Sequence, residues 1–275
     1  MNAKSYRSIY NEELGAWVAV SEETRARGKR STPSSASASS AGASSSGVSA
    51  LRSVLHPLAL ASMLILNTAA LWIHGDAQAQ IVADRRALGA NQPTVLRADN
   101  GVTVVNITTP NASGISRNVY IQFDVDGRGV VMNNGRAMNR TELAGWIAAN
   151  PWLAKGSARV ILNEVNSSNP SYINGFIEIA GQKADIIIAN PNGINVSGSG
   201  FINASKATLT TGAPTALSDG SIRLAISGGT INITGSGLDA RQVGYTEILA
   251  RAVNVNAGVW AQELNVQGGA QNSEA

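Results

Sequence analysis

Residues 185–212 read DIIIANPNGINVSGSGFINASKATLTTG, and this stretch decides the fold of the chain. The β-branched run at 186–188 predicts a short strand that is buried on both faces. Asn-Pro-Asn-Gly at 190–193 ends this strand, because proline donates no ladder hydrogen bond and Asn and Gly favour tight turns. Period-two alternation resumes at 194–196, breaks at the glycines of 198–200, and then continues. Strands and turns that repeat without a helix-length segment between them predict a β-solenoid.

The composition of the chain excludes several classes of chemistry. The 275 residues contain no cysteine, which excludes disulfides, thiol nucleophiles and cysteine-based metal sites. Both histidines, His56 and His74, precede residue 80, so the rest of the chain cannot supply a histidine triad or a zinc site built on histidine. Acidic residues such as Asp185 and Glu247 are scattered singly, whereas acid–base catalysis needs them clustered. We therefore expect no enzyme, no cofactor and no metal, with a polysaccharide-active enzyme on a β-helix as the alternative.

The net charge of +3 divides between two segments of the sequence. Residues 1–79 hold seven Lys/Arg against five Asp/Glu, a net charge of +2. Residues 80–275 hold fourteen against thirteen, a net charge of +1. No basic patch with interleaved aromatic residues occurs, so the sequence predicts no nucleic-acid partner.

The first 79 residues predict a targeting leader in three parts. Residues 1–30 combine mixed charge with a basic cluster, and taken alone they suit a short amphipathic helix or a disordered basic tail. Residues 31–50 are almost entirely Ser, Ala and Gly, which predicts a flexible linker. Residues 51–79 contain a positive residue, an apolar run and the small-x-small site Ala77-Gln78-Ala79, which are the parts of a secretory signal peptide. Cleavage is predicted between Ala79 and Gln80, and a transmembrane anchor is the alternative.

The remaining residues predict a succession of short strands with turns between them. The expected strands lie at 101–107, 119–125, 159–163, 176–180, 222–226, 231–233, 253–255 and 264–266. Asn133-Asn134-Gly135 predicts a turn. Residues 141–149 are ambiguous, because their apolar residues have helical spacing while glycine and a following proline favour a short element. Residues 80–100 are able to cap one end of the solenoid, and we expect the other end to continue into a longer protein.

Several leader motifs occur in a fixed order, and their residues are Met1-Asn2, Tyr6-Arg7, Asn11, GAWVAVSE at 15–22 and the basic cluster at 25–29. With these motifs the leader resembles the extended signal peptide region of very large type V secreted proteins of Gram-negative bacteria. The serine-rich insert at 31–50 departs from the direct join to the hydrophobic core that is usual in that family.

Ordered motifs also run through the following part, namely Asn150-Pro151-Trp152-Leu153, ILNEV at 161–165, NPS at 169–171, GFIEIAG at 175–181 and Asn190-Pro191-Asn192-Gly193-Ile194. With them, residues 80–275 resemble the amino-terminal TPS secretion domain, also called the haemagglutination-activity domain, of filamentous haemagglutinins and contact-dependent inhibition exoproteins. The two named motifs of this family are NPNL and NPNGI. The second is complete at 190–194, whereas the first is present as NPWL, with Trp152 in place of asparagine.

The resemblance implies an all-β fold, a right-handed parallel β-helix with an N-terminal cap. It implies export through the Sec translocon, cleavage by signal peptidase, and recognition by an outer-membrane barrel transporter with periplasmic POTRA domains. The exoprotein would be secreted or displayed on the cell surface, as an adhesin or a toxin carrier, and would bind a receptor on a host or bacterial cell. An enzyme or a membrane-anchored surface protein is the alternative.

The resemblance also makes the two Asn-Pro motifs the expected site residues, at 150–153 and 190–194. They could promote secretion by shaping the fold or by touching the transporter, and the sequence leaves both roles open. Within the second motif, Asn192 and Gly193 are the residues expected to need positive φ.

Overall fold

The computed structural model describes residues 6–11, 16–21, 80–217 and 221–274. The chain divides into two compact units, Met1–Leu64 and Ile65–Ala275. In the first unit, β1 (Tyr6–Asn11) and β2 (Ala16–Ser21) pair antiparallel, which corrects the expectation of a helix or a disordered tail for these residues. The Ser/Ala-rich linker, the apolar run and Ala77-Gln78-Ala79 lie outside the described residues. No helix within those residues has the length and apolar character needed to span a membrane.

The second unit is a β-helix whose three sheets run along its length. Sheet 1 contains β3 (Ile81–Ala83), β6 (Ile115–Phe123), β10 (Val160–Val165), β13 (Ala184–Ala189), β16 (Ala204–Thr210), β21 (Tyr245–Ala250) and β24 (Leu264–Gly268). Sheet 2 contains β11 (Ser171–Ile173), β14 (Ile194–Val196), β19 (Thr230–Ile233) and β22 (Ala252–Val255). Sheet 3 contains β4 (Thr94–Arg97), β5 (Thr103–Asn106), β7 (Val130–Asn134), β12 (Phe176–Gly181), β15 (Ser199–Ile202), β20 (Leu238–Ala240) and β23 (Val259–Ala261).

From β10 onward, the complete coils of the β-helix take one strand from each sheet in turn. The chain passes from β10 to β11 to β12, and the next coil repeats this order as β13, β14 and β15. Successive coils pair in parallel, so equivalent residues stack, as in the row Ile161, Ile186 and Ala207. Their inward side chains form one continuous apolar core. The predicted solenoid is therefore confirmed.

Two β-hairpins lie outside the coils and cover parts of the outer surface. The hairpin of β8 (Asn139–Thr141) and β9 (Gly145–Ile147) packs Ala144 and Ile147 on the outer face of sheet 3. The strands β17 (Ala213–Ala216) and β18 (Ile222–Ile226) pair antiparallel, and β25 (Gln271–Glu274) adds a third strand. Ile222, Leu224 and Ile226 pack on the outer face of sheet 1, against Ile187 and its neighbours.

This arrangement corrects one expectation, resolves one ambiguity and explains one confirmed prediction. Residues 222–226 belong to an outer strand and not to a coil, since a period-two pattern looks the same in either place. The helical spacing within 141–149 belongs to a hairpin, because its tip turns at Gly145, which has φ of +69°. The run at 186–188 is buried on both faces, as predicted, because β18 covers the outward side chain of Ile187.

The N-terminal end of the β-helix is closed by antiparallel strands. β3 pairs antiparallel with β6, and β4 pairs antiparallel with β5. A 3-10 helix at Gly89–Asn91 joins these two capping strands. The expectation that residues 80–100 form a cap is thus confirmed. By contrast, the turn predicted at 133–135 is wrong in part, since Asn133 and Asn134 are buried in β7.

Candidate functional site

The first Asn-Pro motif forms a short helical turn that leads the chain from sheet 3 into sheet 1. Pro151–Leu153 is a 3-10 helix, and Asn150 is its N-cap, with Oδ1 accepting from the Trp152 backbone N–H at 3.0 Å. Asn150 Nδ2 donates to the carbonyl oxygens of Ile107 and Asn133, both at 2.9 Å. Asn150 is only 3% exposed, so its side chain ties three backbone segments together from within.

The outer surface of this turn is formed by Pro151 and Trp152, and Leu153 is buried in the core. The Trp152 indole N–H donates to Thr94 Oγ1 at 3.1 Å, which fixes the ring against the cap. Thr109 Oγ1 donates to the Trp152 carbonyl at 2.8 Å. The first motif therefore exposes the indole ring of Trp152, the residue that stands where the family motif has asparagine.

The second Asn-Pro motif forms the corner between β13 of sheet 1 and β14 of sheet 2. Asn190 is fully buried, and its Nδ2 donates to the Asn169 carbonyl at 2.9 Å and to Ser171 Oγ at 3.0 Å. Its Oδ1 accepts from the Asn192 backbone N–H at 3.0 Å. As at Asn150, the hydrogen-bonding groups of a buried amide hold neighbouring parts of the chain in place, here the backbone and the Ser171 hydroxyl.

Gly193 and Ile194 join this corner to the coil that follows. Gly193 has φ of +112°, and a Cβ at this position would lie 2.9 Å from the Thr230 carbonyl oxygen. Ile194 is buried and pairs with Ser171 and Ile231 in the neighbouring coils. The prediction of positive φ is confirmed for Gly193 and wrong for Asn192, because the Asn190 side chain already caps the turn at the Asn192 amide.

The two motifs lie at opposite ends of neighbouring strands in sheet 1, one before its strand and one after, so the structure does not bring them together. Residues 150–153 precede β10, whereas residues 190–194 follow β13, its parallel neighbour. A strand of six residues spans about 20 Å, which sets the scale of their separation. The two motifs therefore form two corners and not one composite pocket.

Several residues that support these corners carry no signal in the sequence that would single them out. Arg136 donates to the carbonyls of Leu153 and Ala154, which lie at the end of the 3-10 helix. Gly229 lies against the second corner, where an added Cβ would meet the Pro191 carbonyl oxygen at 2.5 Å. The double glycine at 228–229 marked a turn, but its contact with a motif one coil away follows only from the coiling.

A buried carboxylate, also without a signal in the sequence, attaches the β8–β9 hairpin to the β-helix. Glu178 on β12 accepts hydrogen bonds from the backbone N–H groups of Glu142 and Leu143, both at 2.8 Å. Burial is the main cause that raises the pKa of Glu178 above its ordinary value; the charge of Glu142 acts in the same direction, and the two amide donors only partly oppose the rise. Burial also raises the pKa of Asp185, at the start of the β13 strand. In the described part of the chain, no three carboxylate, histidine or cysteine side chains gather into a metal-binding group.

Two family models match the chain. The model described as TPS secretion domain matches residues 79–275. The chain belongs to the TPS secretion domain family. The model described as Extended Signal Peptide of Type V secretion system matches residues 1–64 of the same chain. A TPS domain with this leader is a secreted or cell-surface protein of a Gram-negative bacterium.

Curated relatives and a solved structure agree with this family. A Toxin CdiA from Yersinia pestis is 46% identical over 276 residues and matches 100% of the chain. A tRNA nuclease CdiA-2 from Burkholderia pseudomallei (strain 1026b) is 40% identical and matches 98% of the chain. The chain spans only 8% of the length of either relative. A crystal structure of a filamentous hemagglutinin secretion domain is 37% identical, with a TM-score of 0.63 over 70% of this chain and 65% of that one.

Proposed function

We propose that residues 80–275 direct export of the protein by binding the periplasmic POTRA domains of a cognate outer-membrane barrel transporter. The observation that carries this proposal is the TPS domain match over 79–275. The absence of cysteine is in keeping with it, because a chain that threads a pore cannot carry disulfide-closed loops. Coils that stack on the preceding coil as they emerge would also give folding a direction outside the cell.

In this proposal the leader acts before the transporter does. Residues 1–30 form the extended signal peptide region, 31–50 a linker, and 51–79 the hydrophobic core that the Sec translocon engages. Signal peptidase then cuts between Ala79 and Gln80. The match of residues 1–64 to the extended signal peptide model supports this order of events and favours it over a retained membrane anchor.

The two Asn-Pro motifs promote secretion chiefly by shaping the fold. Support comes from the burial of Asn150 and Asn190, since a side chain with 3% or less of its surface exposed has little to offer a partner. Their amide groups are also committed to neighbouring backbone and to Ser171. Direct contact with the transporter falls to the exposed members of the motifs, Pro151, Trp152 and Asn192.

The whole exoprotein is a carrier for contact-dependent inhibition, and this domain itself catalyses no reaction. Support for the first point is that the two curated relatives described above are named as a CdiA toxin and a CdiA nuclease. Support for the second is the lack of histidine and cysteine after residue 74. A role of the exoprotein as an adhesin is the second candidate, favoured by the likeness to the filamentous hemagglutinin secretion domain. In either case its receptor lies on another cell.

The test is secretion of the full chain from a Gram-negative host with and without the cognate transporter. We expect the protein in the medium or on the cell surface only when the transporter is present, and in the periplasm when it is absent. Equal secretion in both strains would contradict the proposal.

A further inference from the structure

A shallow groove crosses the outer face of sheet 3, next to the β8–β9 hairpin. The hairpin covers the first strands of this face, where Val104, Val131 and Ala180 pack against it. Beyond it lie two open hollows, of about 490 Å³ and about 470 Å³. The strand β15 forms the floor of both, since Ser199 lines the smaller hollow and Ile202 the larger. Four residues of strand span about 13 Å, so the two hollows together suit an elongated ligand.

Two aromatic side chains line the smaller hollow, Phe176 of β12 and Trp260 of β23. They occupy one row across the sheet, with Gly200 and Asp239 in register between them. The Phe176 ring lies over Gly200, where an added Cβ would clash with it. From Gly200 to Trp260 there are two strand spacings, about 10 Å. The hollow is therefore a gap between two aromatic rings, with a carboxylate at its floor.

The rest of the lining is polar and balanced in charge. Its charged members are three cations and three carboxylates, namely Arg140, Lys183, Arg241, Glu142, Glu178 and Asp239. Asp239 and Arg241 form an ion pair, with 2.6 Å between Oδ2 and Nη2. Gln242 adds an exposed amide to the larger hollow. A lining without net charge favours a neutral ligand, and planar polar groups favour one whose hydroxyls both donate and accept.

The backbone of the groove floor is not available to a ligand. β15 pairs with β12 on one side and with β20 on the other, so a peptide cannot be added there as a further strand. A ligand must be recognised by side chains alone. A sugar chain suits this, because its ring faces carry C–H groups that pack on aromatic rings while its hydroxyls bond to amides, carboxylates and guanidinium groups.

We propose that this groove binds a neutral oligosaccharide of β-linked hexopyranose units whose ring substituents are all equatorial. Such units present flat C–H faces, which pack on Trp260 and Phe176, and their hydroxyls bond to Asp239 and Arg241. The sugar chain then runs along β15 toward Gln242. The groove binds without cleaving, because Asp239 is already paired with Arg241.

The groove is a property of the folded protein. Its lining comes from four successive coils, from Phe176 on β12 to Trp260 on β23, so it exists only after these coils have stacked. It therefore acts after export, where cell-surface polysaccharides are present. This inference adds a binding activity to the proposed role in export and does not depend on the transporter.

The test is isothermal titration calorimetry of the purified, signal-cleaved protein with two probes, cellohexaose and chitohexaose. We expect at least one to bind, and the tighter one shows whether the units carry a 2-hydroxyl or a 2-acetamido group. Trp260→Ala and Phe176→Leu should each weaken the Kd about tenfold or more. Trp260→Phe should bind nearly as well as the wild type, because it keeps a ring. Trp146→Ala is the matched control, since Trp146 is 69% exposed and lines neither hollow.

Three results would overturn the proposal. Neither sugar binds the wild type, or the variants without a ring bind as the wild type does, or Trp146→Ala weakens binding as much as they do. Retention of peptides from a tryptic digest in place of either sugar would assign the groove to a peptide and contradict the proposal as well. Resistance to protease shows whether each variant is folded, and if Phe176→Leu is not, Trp260→Ala decides, because its side chain lies at the surface. Secretion that still depends on the transporter would leave the proposed function intact in each case.

Discussion

At the scale of single residues, the two secretion motifs depend on buried asparagines. Asn150 and Asn190 each accept from the amide two residues later and donate to two acceptors outside the turn. A buried polar group without a hydrogen-bond partner raises the free energy of the folded state. Each asparagine therefore satisfies the groups around it, and those groups satisfy the asparagine. The proline and glycine residues of the motifs favour the turn conformation, but it is the asparagine side chains that bond the turn to neighbouring segments of the chain.

We expect Asn190→Ala to lower the free energy of unfolding by about 2–3 kcal/mol, because it leaves the Asn169 carbonyl and the Asn192 amide without their buried partner. Urea unfolding of the purified, signal-cleaved protein measures this loss. Asn254→Ala is the control, since Asn254 is exposed and water replaces its bond to Asn232, at a cost below about 1 kcal/mol. If Asn190→Ala stops secretion while stability is unchanged, Asn190 acts by contact with the transporter and not through the fold.

At the scale of elements, two hairpins cover outer faces that would otherwise be apolar and exposed. One packs on sheet 1 through an apolar contact, and the β8–β9 hairpin is attached to sheet 3 both by an apolar contact and by the side chain of Glu178. The carbonyl of Leu143 at the same hairpin tip accepts from the Asn100 side chain of the cap at 2.7 Å. The hairpin therefore connects the cap, sheet 3 and the first motif that follows it.

Glu178 should make stability depend on pH. Its pKa is raised in the folded protein, so between the ordinary glutamate value of about 4.3 and the raised one the folded state holds more protons than the unfolded chain. The contribution of Glu178 to the free energy of unfolding therefore falls as the pH rises through this window. We expect the Tm of Glu178→Gln, relative to the wild type, to increase as the pH rises above the ordinary glutamate pKa and through the raised one.

Thermal unfolding at several pH values measures this difference. Asp124 and Asp185 also have raised pKa values, and those of Asp84 and Asp239 are lowered, but all four are common to both proteins and cancel in the comparison. A Tm difference that stays constant with pH would mean that Glu178 does not titrate in this window.

At the scale of the whole molecule, the β-helix has two unlike ends. The cap end is closed by antiparallel strands, whereas the final strands leave inward-facing valines exposed. The two ends therefore differ in how they are covered, by antiparallel strands at the cap and by no strand over the last inward side chains of the described residues.

Mass spectrometry of the exported protein should find Gln80 as its first residue, free or cyclised. The reason is the small-x-small site at Ala77 and Ala79, directly after the apolar run. The capping strand β3 starts at Ile81, so cleavage at this point would remove the leader without shortening a strand. An exported product that retains residues 51–73 would contradict the signal-peptide interpretation and favour an anchor.

The sequence by itself determined the class of fold, the cap and the positions of the two motifs, because these depend on local preferences. β-Branched runs form strands, and the Asn-Pro-Asn-Gly segment forms a turn. After residue 80, no segment long enough for a helix keeps a helical repeat of apolar residues. It also excluded histidine and cysteine chemistry from this region, since that follows from composition alone.

Only the tertiary structure decided which side of a strand is covered, and by what. Residues 222–226 and 231–233 have the same period-two pattern, yet the first segment lies in an outer hairpin and the second in a coil. Asn192 was expected to need positive φ, but the side chain of Asn190 stabilises the turn without it. The attachment of the β8–β9 hairpin to Glu178, 35 residues from Leu143, was not visible in the sequence either. In each case the interacting residue comes from another part of the chain. The folding of the chain into stacked coils brings such residues together, and a local sequence pattern contains no information about contacts between distant segments.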